Sequence, residues 1–180
     1  MSFRYEVRLS GEGGQGLMLA GKILAEAAAI YDDLNATQSQ SYGPEARGGA
    51  SRSEVIISDK DIDYPKAVEI DLFLALTQES VDRYIDDLKA DGILVVDQDT
   101  VKNIPKGSFK LIKAPIIETA RKELGRSIVA NIVALGIIAG IIDVVSVEAL
   151  GNAIRARVPK GTEEMNLKAF HLGLEHAKNL

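Results

Sequence analysis

The chain has no cysteine and no tryptophan, and aromatic residues fill only 5 % of its 180 positions. Without cysteine it cannot form a disulfide, a thiolate zinc site or a thiolate-ligated iron–sulfur cluster. Any cluster chemistry it takes part in must come from another chain. The absence also agrees with a reducing, cytoplasmic setting. Histidine is nearly missing too. His171 and His176 stand five residues apart, off the spacing of three or four that shares a helix face, and read as surface or packing residues rather than ligands or bases. There is no basic block: the formal net charge is −5 and the longest basic cluster is Arg155-Ala-Arg157. Such a chain repels a phosphate backbone, which argues against a nucleic-acid partner. Met1 leads straight into alternating residues with no basic stretch before an apolar run, so no signal peptide is expected. The most apolar stretch, 128–145, carries Asn131, Gly136, Gly140 and Asp143. It is shorter than the ~20 clean residues a membrane span prefers, so it is expected to be a buried or interface helix, part of which meets another subunit.

Hydrophobic residues make up 46 % and charged residues 26 %, a balance that fits one globular domain over 1–180. The pattern predicts an α/β fold: a Rossmann-like, mostly parallel sheet with helices on both faces and a helical C-terminal third. Strands are expected at 4–9, 34–38, 54–57, 70–76 and 93–96, with a weaker one at 109–112. The run 70–76 is apolar almost throughout, as a central strand covered on both faces must be. Helices are expected at 15–31, from a Thr77 cap to residue 90, at 117–124, and from caps at Ser127, Ser146 and Thr162. Gly92 is read as the residue just past a helix end.

Two segments stand out chemically. Gly11-Glu-Gly-Gly-Gln-Gly16 satisfies G-x-G-x-x-G between a predicted strand and a predicted helix. Glycine lets the backbone turn sharply, and the helix start offers N–H groups and partial positive charge to an anion. A dinucleotide site also wants an acid at the end of the second strand for the ribose. Asp32 and Asp33 precede that strand, and residues 37–41 hold no acid. Three readings stay open: a bound dinucleotide, a turn needed only for packing, and an anion on a partner-bound cofactor or substrate. The second segment, 39–53, is polar, rich in glycine and predicted to be a long loop bearing Arg47 and Arg52. Arginine suits bidentate capture of carboxylate or phosphate. The plainer reading is a solvated loop with an Arg47–Glu45 or Arg52–Glu54 pair. Asp86-Asp87 and Glu163-Glu164 read as solvated helix faces, and Asp97 and Asp99 as loop or cap residues.

The turn GEGGQG, the segment QSQSYGPEARGGASRSEVIIS, the IDYP after it and the late NLKAF together resemble, nearly end to end, the gamma subunit of 2-oxoacid:ferredoxin oxidoreductases. The wording SYGPEARGGASR is more similar to the 2-oxoglutarate branch than to the pyruvate branch, with a pyruvate or other 2-oxoacid branch of the same family as the alternative. The resemblance implies a subunit, without catalysis of its own, of an enzyme that oxidatively decarboxylates a 2-oxoacid with coenzyme A to an acyl-CoA and passes the electrons to ferredoxin. It implies alpha, beta and delta partner subunits that hold thiamine diphosphate, Mg and [4Fe–4S] clusters. It further implies that Gly13, Gly14, Gln15 and Gly16, with Tyr42, Arg47, Gly48 and Arg52, face the partners' active site and contact coenzyme A phosphates or order partner loops that do. The competing readings are a freestanding Rossmann-type nucleotide-binding oxidoreductase and a homo-oligomeric scaffold.

Overall fold

The computed structural model describes residues 2–41 and 50–180. Six strands form one sheet: β1 (Arg4–Gly11), β2 (Asn35–Ser41), β3 (Ser51–Ser58), β4 (Ile70–Ala75), β5 (Leu88–Asp97) and β6 (Lys110–Ala114), in the order β2-β3-β1-β4-β5-β6. β1, β4, β5 and β6 pair in parallel, while β3 runs antiparallel to both β1 and β2. Only β3 opposes the common direction, so the sheet is mostly parallel, as the alternation of elements predicts. Helices α1 (Leu17–Glu26), α2 (Gln78–Tyr84), α3 (Ile116–Leu124), α4 (Ala130–Ile141), α5 (Val147–Arg157) and α6 (Glu163–Ala177) complete the chain.

Alternation along β1 sorts its side chains to two faces. Val7 and Leu9 enter the larger core with residues of α1, α3, α4, α5 and α6, while Glu6, Arg8 and Ser10 point to the face that α2 partly covers. Helices therefore lie on both faces, but five of the six lie on one. Helix α4 explains the asymmetry: ten of its twelve residues are buried. α6, α3, α1 and the sheet cover most of α4 within the chain, so this is the buried helix that the sequence predicts. Ile128, in the turn before it, is half exposed, and Gly140 and Asp143 are exposed near its far end. Among the described residues no helix is long and apolar enough to cross a membrane.

Several boundaries differ from the sequence reading. Thr77 and Ser146 do cap their helices, accepting from the N–H groups of Ser80 and Ala149. Ser127 makes no capping bond; it begins a single 3-10 turn before α4. Helix α2 stops at Tyr84, and β5 has begun by Leu88, which pairs with Ile70. Gly92 is thus inside a strand, where the pairing slips between Ile70 and Leu72 and a Cβ would lie 3.1 Å from the Asp71 carbonyl. The last turn of the first helix widens to π geometry at Ala27–Tyr31, with the Asp32 N–H donating to the Ala27 carbonyl. The two ends of the expected loop 39–53 are strand, since β2 extends to Ser41 and β3 starts at Ser51, and 42–49 lie outside the described residues.

At the amino end of the sheet, Glu6 is buried and accepts from the N–H groups of Val68 and Glu69 and from Arg4. Asp71 accepts from the Glu6 N–H and pairs with Lys89 at 2.7 Å. Burial, aided by the Asp71 carboxylate, pushes the Tyr5 hydroxyl from 10.0 up to about 12.

Two glycines allow α4 and α6 to touch backbone to backbone. A Cβ on Gly136 would fall 2.1 Å from the Phe170 carbonyl oxygen, and one on Gly173 would fall 2.1 Å from that of Val133. Gly151 in α5 has nothing within 4 Å of its would-be Cβ. In chemical denaturation, Gly136→Ala should lose about 1–3 kcal/mol by forcing the helices apart, while Gly151→Ala should gain about 0.5–1 kcal/mol from the better helix former. A second test is alkaline. The folded Tyr5 holds its proton more tightly than the unfolded residue, so its stabilisation is present below pH 10.0 and is lost as pH rises toward about 12. Tyr5→Phe should flatten that fall in stability across this window.

Candidate functional site at the carboxyl edge of the sheet

Strand β1 ends at the glycine turn. The Leu76 N–H donates to the Ser10 carbonyl at 2.9 Å, joining the ends of β1 and β4. Ser10 Oγ donates to the Ser51 carbonyl and lies 2.9 Å from Ser80 Oγ, and Ser51 Oγ donates to the Gly11 carbonyl at 3.1 Å. Small hydroxyl side chains thereby tie β1, β3 and the start of α2 together at this edge. Within the turn, the Gln15 side chain folds back, and its Oε1 accepts from the Glu12 N–H at 2.7 Å. Gln15 therefore shapes the turn before it can contact anything else.

Gly16 is the N-cap of α1 in the left-handed region at φ 75°, a conformation that favours glycine. Its carbonyl accepts from Asn131 Nδ2 at 2.9 Å, and a Cβ there would fall 2.5 Å from that nitrogen. Gly14 is left-handed as well, and Gly13 and Gly14 face open space. Among the described residues no side chain caps α1, and no acid lies in its first turn, so its partial positive charge is not neutralised from within the helix. An open pocket of about 250 Å³ lies here, lined by Glu12, Gly13, Gly14, Gly16, Leu17, Met18 and Ser51. Glycine backbone forms part of its wall and permits close approach by a ligand, while the Glu12 carboxyl group and the apolar Leu17 and Met18 side chains share the lining.

The topology weakens the dinucleotide reading. β3 is inserted between β1 and β2, which sets the glycine turn two strand spacings, about 9.6 Å, from the end of the second strand instead of one. Asp32 accepts from the Ser146 N–H and hydroxyl at 2.6 and 2.7 Å, away from any ribose position. β2 itself carries no acid.

Of the arginine-bearing segment, Arg52 is described; Tyr42, Arg47 and Gly48, and the Arg47–Glu45 pair, lie outside the described residues. Arg52 is the cross-strand partner of Ser10, as Ser51 is of Gly11, so β3 brings its backbone beside the glycine turn. Its side chain diverges from Ser51 and Ser53 to the α2 face. There Arg52 Nε lies 3.6 Å from Glu54 Oε1, the plainer pairing. Its guanidinium carbon sits 5.1 Å from the centre of the Tyr84 ring.

This face holds an ionic cluster that the sequence reading missed. Arg8, only 2 % exposed, bonds Glu54 at 2.7 and 2.9 Å and Asp87 at 2.5 Å. Its guanidinium also lies 5.2 Å from the Tyr84 ring centre. Asp87 is thus not a merely solvated acid, which corrects that expectation. The available signal was Arg8 in a strand whose neighbours are apolar, because a buried cation requires an acid opposite; Glu54 is that residue in register. Asp97 is buried and accepts from the N–H groups of Asp99, Thr100 and Ile117 and from the Thr100 hydroxyl, so it closes a turn as expected. His176 bonds Thr119 and His171 packs near Phe170, both packing roles. Among the described residues no cluster of His, Asp or Glu is arranged to hold a metal.

Residues 6–176 match the family model described as pyruvate ferredoxin/flavodoxin oxidoreductase. The chain belongs to that family. A 2-oxoglutarate synthase subunit of Methanocaldococcus jannaschii is 50 % identical over 100 % of this chain and 97 % of its own. The crystal structure of a keto/oxoacid ferredoxin oxidoreductase gamma subunit from Geobacter sulfurreducens superposes with a TM-score of 0.90 at 54 % identity, covering 98 % of this chain and 99 % of that one. A 2-oxoglutarate:ferredoxin oxidoreductase from Magnetococcus marinus, solved with 2-oxoglutarate, coenzyme A and succinyl-CoA, has a TM-score of 0.86 at 26 % identity. There the match covers 98 % of this chain but 31 % of the other, so the whole fold corresponds to one part of a larger chain. These likenesses bear out the resemblance seen in the motifs and favour neither a freestanding nucleotide-binding oxidoreductase nor a pyruvate enzyme.

The Asn131–Gly16 bond supplies a test of how the turn is held. Asn131→Ala should cost about 1–2 kcal/mol in urea unfolding, the range for losing a buried hydrogen bond. It should also speed hydrogen exchange at residues 13–16 more than in the sheet interior.

Proposed function

We propose that the chain is the gamma-type subunit of a 2-oxoglutarate:ferredoxin oxidoreductase, a cytoplasmic complex that converts 2-oxoglutarate and coenzyme A to succinyl-CoA and CO2, with two electrons passed to ferredoxin. In this reading alpha, beta and delta subunits bind thiamine diphosphate, Mg and the [4Fe–4S] clusters, and the thiamine group supplies the carbanion chemistry of decarboxylation. The observation that carries the reading is full-length likeness, at 50 % identity, to a 2-oxoglutarate synthase subunit. The composition supports the division of labour, since a chain without cysteine offers no thiolate to a cluster.

The role assigned to this chain is assembly and an anion-binding surface. Gly13, Gly14, Gln15 and Gly16, with Tyr42, Arg47, Gly48 and Arg52, contact coenzyme A or order the partner loops that do. The start of α1 beside a pocket walled in part by glycine backbone supports an anion there. The backbone pairing of Ser10 with Arg52 supports a common surface for the two segments.

Co-purification from a native lysate tests the assignment: thiamine- and cluster-containing partners should come down with the chain, whereas a clean homo-oligomer sinks it. Tight NAD or FAD binding by the isolated chain would instead favour a freestanding oxidoreductase. In the assembled complex, Arg47→Ala should raise the KM for coenzyme A about tenfold to over a hundredfold, the range for a charge-assisted contact, with subunit composition intact. Loss of assembly would make Arg47 an interface residue.

A further inference from the structure

We propose that Tyr84 is a positioning residue: it holds the Arg52 guanidinium at the α2 side of the carboxyl edge, ready for the phosphate groups of coenzyme A. The inference rests on the reading of this chain as a coenzyme A-contacting subunit.

The two arginines around Tyr84 are held unequally. Arg8 has a buried guanidinium and two acids, Glu54 at 2.7 Å and Asp87 at 2.5 Å. Arg52 reaches the same Glu54 oxygen at 3.6 Å, and its side chain keeps 32 % of its exposure. Glu54 is therefore committed first to Arg8 and only loosely attracts Arg52. A long, partly exposed side chain whose ion pair among the described residues is loose would otherwise sample many rotamers.

Tyr84 restrains it twice. The ring lies 5.1 Å from the Arg52 guanidinium carbon, inside the range of a cation–π contact. The Tyr84 hydroxyl donates to the Ala50 carbonyl at 3.3 Å, fixing the backbone two residues before Arg52. A guanidinium attracted through a ring face keeps its in-plane N–H donors for a bidentate oxygen pair. A cation ordered in advance loses less entropy when an anion arrives. Arg52 pairs across the sheet with Ser10, directly before the glycine turn, so its backbone stands beside that turn while its charge lies on the α2 side of the same edge, by Glu54 and Tyr84.

The test uses the co-purified complex and compares coenzyme A KM, 2-oxoglutarate KM and kcat. Four replacements are made: Arg52→Gln, Tyr84→Phe, Tyr84→Leu, and pentafluorophenylalanine at position 84. The last keeps the ring's shape but reverses its quadrupole. Arg52→Gln should raise the coenzyme A KM about tenfold, as for the loss of a charge-assisted bond. Tyr84→Phe, which keeps the ring but loses the bond to Ala50, should raise the coenzyme A KM less than the fluorinated ring does. Tyr84→Leu and the fluorinated ring should raise the coenzyme A KM about two- to fivefold, the scale of an exposed cation–π contact. Both should leave kcat and the 2-oxoglutarate KM unchanged, and neither should add to Arg52→Gln. If Tyr84→Leu fails to assemble, the fluorinated ring decides.

An Arg52→Gln effect without an effect of the fluorinated ring overturns the role of Tyr84 alone. No change with Arg52→Gln, or loss of assembly, overturns the role of Arg52 and the proposal with it. An unaltered complex with no coenzyme A-dependent turnover sinks the functional reading itself.

Discussion

A helix that is apolar on every side cannot be left at a surface, and α4 is such a helix. The remaining helices are arranged around that constraint. α6 lies against it through Gly136 and Gly173, α3 and α1 flank it, and the sheet lies beneath. Five helices consequently crowd one face of the sheet. The other face is left to α2, irregular segments and a cluster of charged side chains. The first polar residue of α4 then acquires a second role. Asn131 is nearly fully buried, and it satisfies its amide on the carbonyl of Gly16, across 115 positions of sequence.

The opposed strand β3 has consequences of comparable weight. By entering between β1 and β2 it removes the adjacency on which a dinucleotide site depends. It also places Glu54 opposite Arg8, so that a guanidinium can be buried within the sheet's second face. A buried ion pair of this kind offers little net stability against an apolar equivalent, yet losing one partner would strand a charge. What it does supply is a fixed arrangement of acids, which leaves Arg52 as the less tightly paired of the two cations.

Much of the fold was legible because burial leaves a clear pattern in sequence. β4 reads as an uninterrupted apolar run, and β1 alternates. The Thr77 and Ser146 caps are visible as hydroxyl residues directly ahead of helical stretches. β2 was legible only in part, since Asn-Ala-Thr-Gln-Ser-Gln-Ser on a half-exposed edge strand has no apolar rhythm to mark it. Gly92 misled because a glycine after a helical stretch usually ends the helix, whereas here it accommodates a slipped strand pairing. The glycine turn was legible by motif, and so was its role as a helix start. The partners that hold it were not: Asn131 and Ser51 come from distant segments, and nothing local marks them. The Arg8–Glu54–Asp87–Tyr84 group was hidden for the same reason, as it exists only once β1, β3 and the end of α2 meet.

The link between Gly16 and Asn131 also orders events in time. β1, the turn and α1 are contiguous and can form early, but the clamp on the turn requires α4 to be in place, and α4 is enclosed only when α6 has docked at the C-terminal end of the chain. Contacts of such long sequence separation form late, because their loop-closure entropy must first be overcome. The most motif-like part of the chain therefore matures last, and a nascent chain shorter than α6 would display the glycines without the geometry that makes them a site.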